Sequence, residues 1–170
     1  MVKLLYIWLK LNEKSMQHFI GTYECKADAK GRIMLPAALK KQLSNHLNKS
    51  FVIKRAVFNT CLELYPLDQW ESLMEKVNKL NRFNKKNNDF IRRFTAGVKL
   101  LEIDATGRLL IPKDLTNHAK ISKEVVVSSV VNILEIWDKG LYEKVIDEAT
   151  TDFVALAEEV MGDQNEDNLS

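Results

Sequence analysis

Two arginines stand in the same chemical setting 76 residues apart. Asp28-Ala29-Lys30-Gly31-Arg32-Ile33-Met34-Leu35-Pro36 recurs as Asp104-Ala105-Thr106-Gly107-Arg108-Leu109-Leu110-Ile111-Pro112. Asp, Ala, Gly, Arg and Pro are identical, and the three positions between Arg and Pro stay aliphatic. Gly31 and Gly107 allow the chain to reverse, and Asp28 and Asp104 ahead of them can accept backbone N–H bonds that shape the turn. The arginine then leaves the turn at the start of an aliphatic strand, so its guanidinium has a rigid base. A planar fork held this way suits bidentate recognition of guanine O6/N7 or of phosphate oxygens. The competing reading is an Asp28–Arg32 ion pair that only stabilises the turn. A carboxylate repels phosphate, so the aspartates are turn-shaping residues in either case. A repeated exposed arginine points to a repeated target, and DNA leads the candidates.

The elements around the motif must form its base. Tyr23, Cys25 and Ala27 alternate with Glu24, Lys26 and Asp28, the pattern of a half-buried strand. Arg32 to Leu35 predicts a second strand, and Pro36 opens a short helix over Ala37 to Leu43. Phe51-Val52-Ile53 and Cys61-Leu62-Glu63-Leu64 predict two more strands. The second copy repeats the plan with strands at Lys99–Ile103, Leu109–Ile111, Val125–Val127 and Ile133–Trp137. Leu62-Glu63-Leu64-Tyr65 answers Leu134-Glu135-Ile136-Trp137 at an offset of 72, which implies a shorter loop in the second copy. Between the copies, Asp68 and Glu71 have capping-box spacing ahead of Trp70, Leu73, Met74, Val77 and Leu80. A polar loop over Arg82 to Asn88 then leads to a helix from about Asp89. Leu141, Tyr142, Val145, Ile146 and Ala149 form a further helical stripe, which Phe153, Leu156 and Val160 extend. These stripes are expected to be core.

Charge is distributed unevenly. Residues 1–80 carry 13 basic and 7 acidic side chains, residues 81–125 carry 10 and 5, and residues 126–170 carry 2 and 11. The front three-quarters can approach a polyanion that the C-terminal quarter would repel. The two cysteines, Cys25 and Cys61, have no ligand-like spacing, which excludes a disulfide framework or zinc site and fits a reducing cytoplasm. His18, His46 and His118 are scattered and read as ordinary surface or core residues. Leu4 to Leu9 is too short for a membrane span. No nucleophile–base pair, phosphate-binding loop or metal spacing stands out, so neither an enzyme nor a cofactor is expected.

The doubled Asp-x-x-Gly-Arg with its aliphatics and proline, the Leu-Glu-Leu-Tyr-Pro strand and the helical pair between the copies resemble the MraZ family of bacterial transcriptional regulators. The resemblance covers about Met16 to Val160. It implies an α+β fold in which two SpoVT-AbrB-like modules form one pseudo-twofold swapped-hairpin β-barrel domain with flanking helices. The expected organisation is an N-terminal extension over 1–15, module one over 21–67, a helical linker over 68–97, module two over 98–140, helices over 141–161 and an acidic disordered tail over 162–170. The resemblance further implies a ring-like homo-oligomer in the cytoplasm, associated with the nucleoid. It would bind tandem G-containing DNA repeats upstream of the division and cell-wall gene cluster, including its own promoter, as a repressor. Carried over residue by residue, Arg32 and Arg108 are the primary DNA contacts and Lys30 a phosphate contact. Thr106 is the neutral partner of Lys30, so the two faces are expected to contribute unequally. Two other readings stay open: an AbrB-like antitoxin or transition-state regulator, and a ring-forming scaffold whose arginine turns bind protein. Neither a membrane nor a small-molecule substrate is expected.

Overall fold

A computed structural model describes residues 18–44, 50–149 and 152–162 of the chain. The extension expected over 1–15, His46 and the tail beyond Gly162 lie outside the described residues. The described chain is a mixed α+β fold. In the first repeat, β1 (Thr22–Lys26), β2 (Arg32–Met34), α1 (Ala37–Gln42), β3 (Phe51–Arg55) and β4 (Leu62–Pro66) follow in order. Helices α2 (Leu67–Asn78) and α3 (Lys85–Phe94) connect the repeats. The second repeat runs β5 (Lys99–Leu101), β6 (Arg108–Leu110), α4 (Lys113–His118), β7 (Glu124–Val130) and β8 (Ile133–Asp138). Helices α5 (Lys139–Ala149) and α6 (Phe153–Gly162) follow.

Six strands form one antiparallel sheet in the order β1-β7-β8-β4-β3-β5, and β2 pairs with β6 in a separate ribbon. The order is symmetric about the β8–β4 junction, where Glu63 faces Glu135 across the strands. The first strand of each repeat has been exchanged: β1 pairs with β7 of the second repeat, and β5 with β3 of the first. Among the described residues no closed barrel forms. The exchanged strands end as the two edges of the sheet, and single bridges, Ala27 to Ile33 and Ile103 to Leu109, tie the ribbon to them.

One core lies between sheet and ribbon. Ile33, Leu35 and Leu39 of the first repeat meet Leu109, Ile111 and Leu115 of the second, over Phe51, Ile53, Val125 and Val127 of the sheet. Alternation along each three-residue motif strand turns only its middle residue, Ile33 or Leu109, into this core. Helices cover the opposite face of the sheet. Tyr142 of α5 meets Trp137 edge-on at 5.8 Å, and Trp70 of α2 stacks on Phe94 of α3 at 6.2 Å. Under α2 and α3, Lys54 is 1% exposed. Its ammonium binds Glu63 at 2.9 Å and lies 4.4 Å from the centre of the Phe94 ring. The Tyr65 hydroxyl donates to the same glutamate at 2.8 Å. Burial raises the Glu135 carboxyl above its ordinary range, and the Glu63 charge adds to that. Cys25 and Cys61 are buried thiols, and burial pushes Cys25 up to about 11.

Several boundaries differ from the sequence expectations. α2 starts at Leu67 directly after Pro66, with no side-chain cap, so Asp68 sits inside the first turn. α3 starts at Lys85, because the Asn84 side chain accepts the Lys86 N–H at 2.9 Å and caps the helix four residues before the expected Asp89. The connection between β3 and β4 spans 56–61, whereas Val131-Asn132 alone joins β7 to β8, the shorter loop the offset implied. The stripe Phe153, Leu156 and Val160, expected as core, is exposed because no other described element packs over it.

A core shared between repeats unfolds as one unit. Leu109→Ala removes a fully buried side chain at the ribbon and is expected to cost about 2–5 kcal/mol. Urea denaturation followed by tryptophan fluorescence and by far-UV circular dichroism should give one coincident transition at a lower midpoint. Two separated transitions in the unsubstituted chain would mean that the repeats fold independently.

Candidate nucleic-acid interface

Both motif turns are built alike. At the first, Asp28 Oδ1 accepts the N–H of Lys30 at 2.9 Å and of Arg32 at 3.0 Å. Asp28 Oδ2 accepts the Arg32 Nε–H at 2.6 Å. At the second, Asp104 Oδ1 accepts the N–H of Thr106 at 2.9 Å and of Arg108 at 3.0 Å, and Oδ2 accepts the Arg108 Nε–H at 2.8 Å. The Thr106 hydroxyl adds a bond of 2.6 Å to Asp104. The glycines close the turns with φ of +80° and +81°, where an L side chain is strained. A Cβ on Gly31 would also stand 3.0 Å from the Ile111 carbonyl oxygen.

The turns then clasp each other. β2 and β6 run antiparallel with Arg32 opposite Leu110, Ile33 opposite Leu109 and Met34 opposite Arg108. Leu35 donates its N–H to the Gly107 carbonyl and Ile111 donates to the Gly31 carbonyl, both at 3.0 Å. Directly opposed residues share a face, so Arg32, Met34, Arg108 and Leu110 all point outward. The arginines occupy one diagonal of this patch, with side chains 35% and 36% exposed. Met34 and Leu110 occupy the other, at 48% and 53%. Residues on such a diagonal lie about 7–8 Å apart, near two steps of a duplex strand.

The aspartates take each arginine through Nε. Among the described residues this leaves the terminal Nη1/Nη2 edge without a hydrogen bond. That edge can grip two acceptors at once. Holding Nε also removes rotamer freedom that an unanchored arginine would lose only on binding.

The lysines complete the pattern in a way the motif alone conceals. A Cβ on Gly107 would lie 3.0 Å from Nζ of Lys40, which reaches over the second turn from α1. The matching position beside Gly31 holds Thr116 of α4, with its hydroxyl oxygen 3.7 Å from a Cβ placed there. Turn one therefore has Lys30 within it and Thr116 beside it. Turn two has Thr106 within it and Lys40 beside it. Each turn carries one lysine and one threonine, so the inequality expected from Lys30 against Thr106 is offset by the neighbouring helix. Lys40 and Thr116 are themselves 76 apart, which was the available signal. Met34 and Leu110 were missed because only the pairing of the two motif strands turns both outward.

Other bright residues go elsewhere. Tyr65, Trp70 and Trp137 pack against neighbouring rings. Arg92 pairs with Asp89 at 3.2 Å, and His18 is exposed. Among the described residues there is no group of three or more metal-ligating side chains, and no helix long and apolar enough to cross a membrane.

The turn bonds set a pH dependence. The Arg32 N–H holds the Asp28 carboxyl below its ordinary range, helped by the Arg32 side chain and the Lys30 N–H. The Thr106 hydroxyl does the same for Asp104, with the Arg108 N–H next. A depressed carboxyl contributes stability that is fully present above its unfolded value and is lost as pH falls through its folded value. Carboxyl carbon NMR should find both aspartates titrating below an unperturbed Asp, which is half protonated at about pH 4. Ordinary midpoints would mean that the turns do not hold in solution.

Comparison with known proteins places the chain. It matches the family described as "MraZ protein, putative antitoxin-like" twice, over residues 18–93 and 94–164. A protein of Flavobacterium psychrophilum named transcriptional regulator MraZ is 64% identical over 152 residues, covering 89% of this chain and 97% of its own. Its namesake in Christiangramia forsetii is 62% identical over 155 residues, covering 91% and 100%. A more distant one in Cytophaga hutchinsonii is 38% identical, covering 86% and 96%. The family is one of transcriptional regulators and not of enzymes. Its doubled match divides the chain between the two arginine turns, and with relatives this similar over nearly their whole length, the chain belongs to the MraZ family.

Proposed function

We propose that the protein is a DNA-binding transcriptional regulator whose contact surface is the paired β2–β6 ribbon. The observation that carries this reading is the outward diagonal of Arg32 and Arg108, each held at Nε by its own aspartate. A two-stranded ribbon fits the major groove of B-DNA. The free guanidinium edges would take guanine O6 and N7, while Met34 and Leu110 would lie against thymine methyl groups. Lys30 and Lys40 would each meet a backbone phosphate. Asp28, Gly31, Asp104 and Gly107 would hold the turns and touch no base.

The strand exchange, with the ribbon bridged to both sheet edges, supports reading the two modules as a swapped-hairpin unit. A single ribbon covers few base pairs, so useful affinity calls for several copies. The exposed apolar residues Phe153, Leu156 and Val160 on α6 support assembly into a ring-like homo-oligomer. Such a ring would engage tandem promoter repeats together, gaining affinity through effective concentration. By family resemblance the target is the promoter of the division and cell-wall gene cluster, including the protein's own gene. Occupancy there would repress transcription in the cytoplasm, at the nucleoid.

Fluorescence anisotropy with the chain's own upstream DNA beside a scrambled duplex tests the reading. Arg32→Ala and Arg108→Ala should each lose about 1–3 kcal/mol of discrimination between the duplexes. Lys30→Gln and Lys40→Gln should each weaken both duplexes alike and lower the salt slope by about one unit. A double arginine variant that still separates the two duplexes would sink the proposal.

A further inference from the structure

The two halves of the fold are not equivalent at one corner. In the first half, Gln42 ends α1 and seals the corner: its Nε2 donates to the Ile20 carbonyl at 2.8 Å and to the Tyr23 hydroxyl at 2.9 Å. The Ile20 N–H returns a bond of 2.8 Å to Gln42 Oε1. At the offset of 76, Gln42 becomes His118, Tyr23 becomes Lys99 and Ile20 becomes Ala96. Among the described residues none of those bonds recurs in the second half, and His118 instead lines a groove of about 620 Å³.

Its lining is cationic. Arg55 at the end of β3, Lys86 and Arg93 on α3, and His118 at the end of α4 converge there. The one carboxylate in the wall, Asp89, is already paired with Arg92. Arg55 Nε is buried beside Gly97 and has no hydrogen-bond partner among the described residues. Phe90 and Val57 line the same groove, giving it an apolar wall beside the charges. Burial and the Arg55 charge hold His118 below its ordinary value, and an anion placed between the two would reverse that Arg55 effect.

We propose that this groove binds a small phosphorylated organic molecule. Arg55, Lys86 and Arg93 take the phosphate, and Phe90 takes the apolar body. The volume lies within the range of small-ligand sites. Gly97, beside Arg55, and Asp104, in the second arginine turn, stand at opposite ends of the β5 segment. Roughly 20 Å of chain separates those two, while His118 in the groove stands two residues from Thr116, which flanks the first turn. The site is a place where a metabolite could address the regulator, and the arginine double variant separates its ligand from the DNA.

The test uses the full chain, inorganic pyrophosphate and inorganic phosphate as probes, titration calorimetry, and the NMR signals of the His118 ring. Lys86 and Arg93 are exposed on α3, so the double variant K86Q/R93Q should fold with an unchanged thermal midpoint. The unsubstituted chain and a control variant, K76Q on α2, should bind pyrophosphate saturably and shift the His118 resonances. K86Q/R93Q should bind at least about tenfold more weakly. The Arg32→Ala/Arg108→Ala variant should bind the probe normally, so this site and the DNA reading can fail separately. No saturable binding of either probe, or binding that K86Q/R93Q leaves intact, would overturn the proposal. So would an equal loss by K86Q/R93Q of binding to the chain's own upstream DNA and to scrambled duplex, which would make the groove a backbone-phosphate contact.

Discussion

The rest of the molecule depends on the pairing of β2 with β6. Each motif strand is three residues long, and its ladder partner is the other motif strand, not a strand of its own repeat. A strand that short with unpaired N–H and C=O groups would not persist alone. Once the two are paired, the inward Ile33 and Leu109 close the core and the outward arginines are set at a fixed separation. The strand exchange in the large sheet enforces the same arrangement, because each repeat's first strand leads from the partner repeat's sheet edge into the ribbon. Fold and display are thus consequences of one set of hydrogen bonds.

Electrostatics follow from that clasp. Every turn combines an aspartate that fixes the arginine with a lysine close by, but the lysine comes from within the turn at one site and from the neighbouring helix at the other. Local negative charge is spent on backbone N–H groups and on Nε, so it does not face outward as a free carboxylate. The outward face is left positive and partly apolar, a combination that favours a groove over a bare phosphate surface.

What could be read in advance was what neighbours in sequence determine. Turn chemistry at Asp28 and Gly31, alternation along β1 and the helical stripes of α2 and α5 are all local. The strand exchange and the ribbon register are pairings between residues about 76 positions apart, and alternation says which residues share a face but never which strand lies beside it. The position of Lys40 over Gly107 depends on that register and was hidden with it. Helix boundaries moved where a single group decided them, as Asn84 does for α3. The α4 helix was passed over although Pro112 repeats Pro36, because Lys113–His118 has little apolar periodicity of its own. The stripe on α6 was readable as apolar, but its burial depends on what lies beyond the chain.

The α2–α3 connection joins two halves that would otherwise have to find each other. A symmetric dimer of a single repeat must carry every substitution twice, so a residue useful at one corner is imposed on the other. With both halves in one polypeptide, Gln42 can seal its corner while His118 borders a groove, and neither choice burdens its counterpart. Joining the repeats also makes their clasp independent of protein concentration, so the arginine face exists even when only a few molecules are present in the cell.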